Sequence, residues 1–403
     1  MASNNVSDGG ADTEPLRCPR CEHSIPTAAF CGFCGTDLDG TSGFLETLLR
    51  PRTFVAAPRE RVLAPWLSST LFPHLNRRSR NPFRLVHAIL LISVVAAAWL
   101  QKLGALATIT ALGIPLLFVL YLWESGTVHG VTGRTLVATG LLGAGLGTIS
   151  TIWTGGIVAQ SYGIPISAGF LVQHLVGIGW ALSVGGALIM VLPLFIARVA
   201  LPRLPGGSLD GFAIGAFTAL AFTAGGTLAR LTPQANTSLV ANARLSHLLV
   251  LAVLYGFAVP LTSAAAGGLL GMALWFQPGD RSSRAWKRAP WPLLVFIAVV
   301  GALYSAVWIT DALRIPRIAQ ACLQITLGLL ALQVARAGMQ IALLHEAHPL
   351  PTQLPSFCEH CETVVPAMPF CPCCGASTSA SSRQARQLRP IPVTETLTNR
   401  DTS

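Results

Sequence analysis

Apolar and polar residues along this chain fall in blocks, without the short alternation of a half-buried soluble fold. Predominantly apolar stretches lie near 85–101, 104–123, 134–157, 168–200, 209–229, 245–277, 292–310 and 317–338. A bilayer core needs about 20 such residues per helix, so the pattern predicts an all-α, polytopic transmembrane bundle of about eight spans. The stretches 168–200 and 245–277 exceed one crossing, and each holds a proline, Pro193 and Pro260. Each is read as one tilted, kinked helix or as a span plus a re-entrant or interfacial segment. A second full crossing in only one of them would put the chain ends on opposite sides.

Composition sharpens this picture. Over 403 residues the chain is 52% hydrophobic and 11% charged, with a mean hydropathy of +0.58, too apolar for an ordinary soluble domain. Between 84 and 344 the only acids are Glu124, Asp210, Asp280 and Asp311. The formal charge of +10 is concentrated beside the spans, where membrane orientation explains it, so no nucleic-acid partner is expected.

The order predicted is a disordered tail at 1–17, a zinc ribbon at 18–40, a basic linker at 41–83, the membrane domain at 84–344, a linker at 345–357, a second zinc ribbon at 358–378 and a disordered tail at 379–403. The first seventeen residues lack an apolar core and do not read as a secretory signal. If there are eight spans, the connector arginines, Arg198/Arg203 and the Arg281/Arg284/Lys287/Arg288 loop share one side. The opposite loops hold Lys102, Arg230, Arg244, Arg314 and Arg317. The bias predicts a multi-pass plasma-membrane protein with both termini cytoplasmic.

The cysteines carry the clearest chemistry. Cys18-x-x-Cys21 and Cys31-x-x-Cys34 are nine residues apart, and so are Cys358-x-x-Cys361 and Cys371-x-x-Cys374. Two such knuckles joined by a hairpin can direct four thiolates at one ion. The modules are internal repeats, sharing Glu22/Glu362, Pro26/Pro366, Phe30/Phe370 and Gly35/Gly375 beyond their ligands. Two disulfides per module would need an oxidising compartment; the basic flank and missing signal point to the cytosol and to two structural zinc ions. With four cysteines each, the sites keep no open position for a substrate water. Glycine after the last cysteine suits a backbone where a side chain would crowd the sulfurs. Cys373 should point away from the metal, and Cys322, in an apolar span, reads as a packing residue.

Other residues carry weaker signals. His174 and His247 could share a metal in the bundle, although membrane histidines more often hydrogen-bond a neighbouring backbone. His345-Glu346-Ala347-His348 is one residue short of HExxH and reads as interfacial. Arg336 is expected to extend its stem to the cytoplasmic interface. Small residues at Gly140–Gly147, Gly177–Gly186 and Gly267–Gly271 predict close helix approach. They are not phosphate loops, for no strand precedes and no Lys-Ser/Thr follows.

Three stretches within roughly 113–275 resemble the PrsW-type intramembrane proteases: Gly113-Ile-Pro115 through Tyr121, Leu209-Asp210-Gly211 through Phe222, and Ser263 through Gly271. The resemblance implies catalytic acids and a histidine at Gly185, Gly186, Gly226 and Val259 or Pro260, and a lysine at Met190. None of these types is present, so no catalytic residue is expected. Intramembrane hydrolysis also needs a water activated by a base or metal, and no acid lies well inside a span. The expected function is therefore non-catalytic: the bundle contacts lipid or a partner helix, and the ribbons, possible docking partners for each other, take a protein partner. The alternatives are a divergent metalloprotease using His174, His247 and Glu124 or Asp210, or a transporter around discontinuous helices.

Overall fold

The computed structural model describes residues 16–19, 21–25, 28–38, 53–58, 60–63, 67–75, 77–126, 131–161, 171–200, 207–236, 245–277, 290–312, 315–346 and 356–381. The first module opens with a hairpin, β1 (Leu16–Arg17) and β2 (Ser24–Ile25). A one-turn helix, α1 (Leu67–Leu71), precedes the long helices. These are α2 (Arg77–Trp99), α3 (Leu103–Glu124), α4 (Val131–Ser161), α5 (Leu171–Ala200), α6 (Ser208–Asn236), α7 (Leu245–Leu274), α8 (Pro290–Ala312) and α9 (Arg317–His345). The second module contributes β3 (Ser356–Cys358) and β4 (Thr363–Val365). Seven of these helices are long and apolar enough to cross a membrane; in α5 the stretch Val184–Ala200 is a shorter apolar helix among the described residues.

Each of the two overlong stretches forms a single helix. In α7 the proline leaves its mark as a change of helical pitch. Pro260 has no amide to donate, and just before it the chain widens into a π-helical turn over Leu254–Ala258, with the Val259 amide bonded to the Leu254 carbonyl. The helix continues to Leu274 without reversing.

Glycine decides which helices lie closest. A Cβ on Gly215 would strike the Gly267 carbonyl, and one on Gly271 would strike the Gly211 carbonyl, so α6 and α7 cross antiparallel with backbones in contact. Gly143 and Gly147 face the Thr218 and Phe222 carbonyls in the same way, setting α4 parallel to α6. The prediction of close approach holds there and fails at Gly185 and Gly186, where an added Cβ would meet nothing. The surroundings of Gly177 lie outside what is described.

The stretch predicted to be a basic linker is partly folded against the bundle. Phe54, Val55, Ala56, Ala57, Val62, Leu71, Phe72 and Leu75 are buried in one cluster with Phe118, Tyr121, Leu261, Met339 and Leu343. This explains why α9 outruns the predicted span end at 338: from Ala335 to Leu344 it is buried all round. At the inner edges of the predicted tails the chain is ordered, Leu16–Arg17 as β1 and Ser379 and Ala380 buried, because each edge completes its cysteine module; the rest of both tails and the centre of the second linker lie outside the described residues.

Candidate metal centres and their seat on the bundle

Each module wraps its cysteines by the same local device. The amide after the second cysteine of a knuckle donates to the carbonyl of the first: Glu22 to Cys18 at 2.9 Å, Gly35 to Cys31 at 2.6 Å, Glu362 to Cys358 and Gly375 to Cys371 at 2.8 Å. The turn closes only if that residue takes a left-handed backbone, and all four do, with φ of 60° at Glu22 and Glu362, 68° at Gly35 and 73° at Gly375. Two glutamates tolerate it, so crowding of the sulfurs is not what requires glycine. At Gly375 the reason is a neighbour, because a Cβ there would strike the Phe30 ring.

The four sulfurs of each module lie within 4.8 Å of one another. Cys18–Cys34 and Cys21–Cys31 stand 3.7 and 3.6 Å apart, and Cys358–Cys374 and Cys361–Cys371 both 3.7 Å. A tetrahedral ion with metal–sulfur bonds of about 2.3 Å needs edges of about 3.8 Å, whereas a disulfide needs about 2.05 Å. The geometry therefore fits a four-coordinate thiolate metal, and all eight predicted ligands are in place. Without an ion, burial pushes the Cys21 thiol up to about 11; metal entry must displace protons, so affinity falls with pH. Cys373 is exposed and outside the tetrad, as expected, whereas Cys322 is exposed on α9 and does not pack.

The two modules dock against each other about an approximate two-fold axis. Phe30 donates its amide to the Pro372 carbonyl at 3.0 Å, and Phe370 donates to the Gly32 carbonyl at 2.9 Å. Phe30 and Phe370 are repeat equivalents, and so are Gly32 and Pro372, so the exchange is reciprocal. The axis is broken where Met368 covers Gly32 so closely that a Cβ there would not fit. Modules from opposite ends of the chain thus share one side, which requires an even number of crossings between them.

A polar chain then ties the pair to the bundle. Ser377 donates to the Val55 carbonyl at 3.0 Å, and the Val55 amide donates to Gln340 Oε1 at 2.9 Å. Gln340 Nε2 reaches the Thr53 carbonyl at 3.1 Å, and Gln333 Nε2 the Val62 carbonyl at 2.8 Å. Arg336 does not extend to water. It is 0% exposed and donates to Ser69 Oγ at 2.6 Å, Glu60 Oε2 at 3.0 Å and the Arg61 carbonyl at 3.1 Å, with its guanidinium 3.9 Å from the Phe54 ring centroid. The connector brings the partners down to the arginine, so the side chain has no need to reach the interface.

Glu346 lies at the same end. The Ser208 amide at 2.8 Å and the Ser208 hydroxyl both donate to it, so the residue after α9 caps the start of α6. Burial pushes its carboxyl up to about 7; the Ser208 bonds oppose the rise and the neighbouring Asp210 charge adds to it. In the predicted interfacial His345–His348 run, the glutamate is thus inward and structural, while His345 bonds the Ile341 carbonyl at 2.7 Å.

Two of the residues proposed for a divergent protease, His247 and Asp210, are held apart. His247 opens α7 and Asp210 opens α6, which runs antiparallel to it, so they stand at opposite ends of a 30-residue helix pair roughly 45 Å long. The His174 side chain lies outside the described residues. Met190 packs with Ala219, Phe222 and Ala265, and Gly226 faces Thr151. Among the described residues, the only groups of three or more His, Cys, Asp or Glu placed to share an ion are the two cysteine tetrads. No family model, curated protein or solved structure matches this chain.

Proposed function

We propose that this chain is a non-catalytic membrane protein whose paired zinc ribbons form a rigid cytoplasmic head for a protein partner, seated on a bundle that resembles the PrsW-type proteases. The observation that carries the reading is the reciprocal Phe30–Pro372 and Phe370–Gly32 pairing. A head built from both ends of the chain and fastened through Val55 and Gln340 is suited to hold a partner at a fixed position over the membrane. Zinc suits tetrads of sulfur alone.

The test is metal content of the purified full chain in detergent, against a variant with all eight paired cysteines changed to serine, together with peptidase activity. The expected result is two zinc ions per chain, none in the variant, and no peptidase activity in either. A further metal that persists in the variant, or peptidase activity abolished by a substitution in the bundle, would overturn the non-catalytic reading and favour a divergent metalloprotease. Labelling of Cys373 by an impermeant reagent from outside intact cells would overturn the cytoplasmic placement.

A further inference from the structure

A cavity of about 280 Å³ lies between α2, α3, α7 and α9, lined by none of the tetrad cysteines, and its walls include His87, Leu91, Val94, Val253, Phe257 and Ile325. It opens sideways between residues of α2 that face outward from the bundle, Leu91 at 50% and Val95 at 52% exposure. For a helix that crosses a bilayer, that opening gives onto hydrocarbon. The far wall is the π-helical turn, where Gly256 and Phe257 stand out of α-helical register. Such turns recur at functional sites because they re-aim side chains and loosen the helix wall.

The chemistry of the walls is apolar with one exception. His87 is 8% exposed, its Nδ1 is engaged with the Phe83 carbonyl at 2.8 Å, and its Nε2 has no hydrogen-bond partner. A lone buried ring nitrogen in an apolar site costs several kcal/mol unless it meets a polar group. The Phe83 carbonyl can only accept, so Nδ1 carries the proton and Nε2 is left as an acceptor; the missing group is a donor such as an O–H.

We propose that this cavity is a binding site for one acyl chain of a lipid that carries an O–H group, which donates to His87 Nε2 while the chain lies along Leu91, Val94 and Val253. The same donor is offered by a protonated free fatty acid and by the glycerol headgroup of phosphatidylglycerol. The experiment therefore has two arms: the full chain in nanodiscs is photolabelled with a diazirine-bearing fatty acid or with diazirine-bearing phosphatidylglycerol, and labelled peptides are mapped by mass spectrometry.

Labelling concentrated on the cavity faces of α2 and α7 is expected in at least one arm, and the arm that labels identifies the source. His87→Leu should lower that labelling about tenfold, the scale of one hydrogen bond made outside water. Val253→Phe, which fills the cavity without touching the histidine, should lower it similarly. Variants are compared only if they keep the metal content and elution volume of the parent; if neither does, competition by unlabelled oleate or phosphatidylglycerol on the parent chain replaces them and should suppress the cavity peptides selectively. Labelling spread evenly over outward-facing positions such as Trp153 and Leu188, insensitive to both substitutions or to competitor, overturns the site.

Discussion

Removing the carboxylate of Glu60 should destabilise the protein more than removing the arginine it serves. Arg336 is fully buried, and Glu60 supplies it with a carboxylate at 3.0 Å. Glu60→Ala leaves the guanidinium with Ser69, Thr70, the Arg61 carbonyl and the Phe54 ring, all neutral. Stripping one partner from a buried ion pair costs about 3–5 kcal/mol, and these remaining contacts place the expected loss near about 3 kcal/mol, roughly a hundredfold in the folding equilibrium. Arg336→Met removes the charge instead and fills the same space with an apolar chain. Glu60 is then not stranded, because Arg84 stands 3.3 Å away, and replacing a buried charge by a packed apolar group costs about 1 kcal/mol or less. Reversible unfolding in mixed detergent micelles, followed by tryptophan fluorescence, measures both. If Glu60→Ala stayed within about 0.5 kcal/mol of the parent, or Arg336→Met were the worse of the two, the connector would not be the folded lid over α9 described above.

Three further outcomes are expected. Glu346 has its carboxyl raised from 4.5 to about 7, so its neutral form is the one the fold prefers: the stability it contributes is complete below pH 4.5 and is lost as pH rises through about 7. The full difference is about 3 kcal/mol at about 1.4 kcal/mol per pH unit, and Glu346→Gln should flatten the pH dependence of the melting temperature between these limits and stabilise the protein above them. The paired modules predict that Gly32→Cys with Met368→Cys forms a cross-link, since a Cβ at 32 would lie 3.0 Å from Met368 Cβ; proteolysis in the bundle loops should release fragments that stay joined on a non-reducing gel while two metal ions remain bound, and fragments that part would refute the docking. Gly215→Leu should separate α6 from α7 by driving a side chain into the Gly267 backbone, at a cost of several kcal/mol read from the same micelle titration; a stable, monodisperse variant would contradict the close crossing.

Much of this was legible in the chain for physical reasons that differ from part to part. The spans were legible because an apolar run of bilayer length has few other uses, and the tetrads because the spacing of thiols nearly dictates a hairpin around an ion. Docking of the modules was hinted at by shared residues that are not ligands, and the structure gives Phe30 and Phe370 that use. The connector was hidden: Phe54, Val62 and Phe72 are scattered among prolines and arginines with no period, and their anchors, Gln333, Arg336 and Gln340, read as ordinary residues of a helix end. The inward position of Glu346 was equally invisible, because it depends on Ser208, which lies 138 positions away.

The reciprocal pairing of Phe30 and Phe370 also sets a timetable for biogenesis. Cys18 and Cys358 are 340 positions apart, so at translation rates of 5–20 residues per second the first module waits roughly 20–70 s before its counterpart exists. Throughout that interval it must stand alone and undocked, while every span is inserted. Completion of the head then reports that the whole chain has been made and threaded with its ends on one face, and a topological error by a single crossing would leave the two halves on opposite sides of the bilayer, unable to meet.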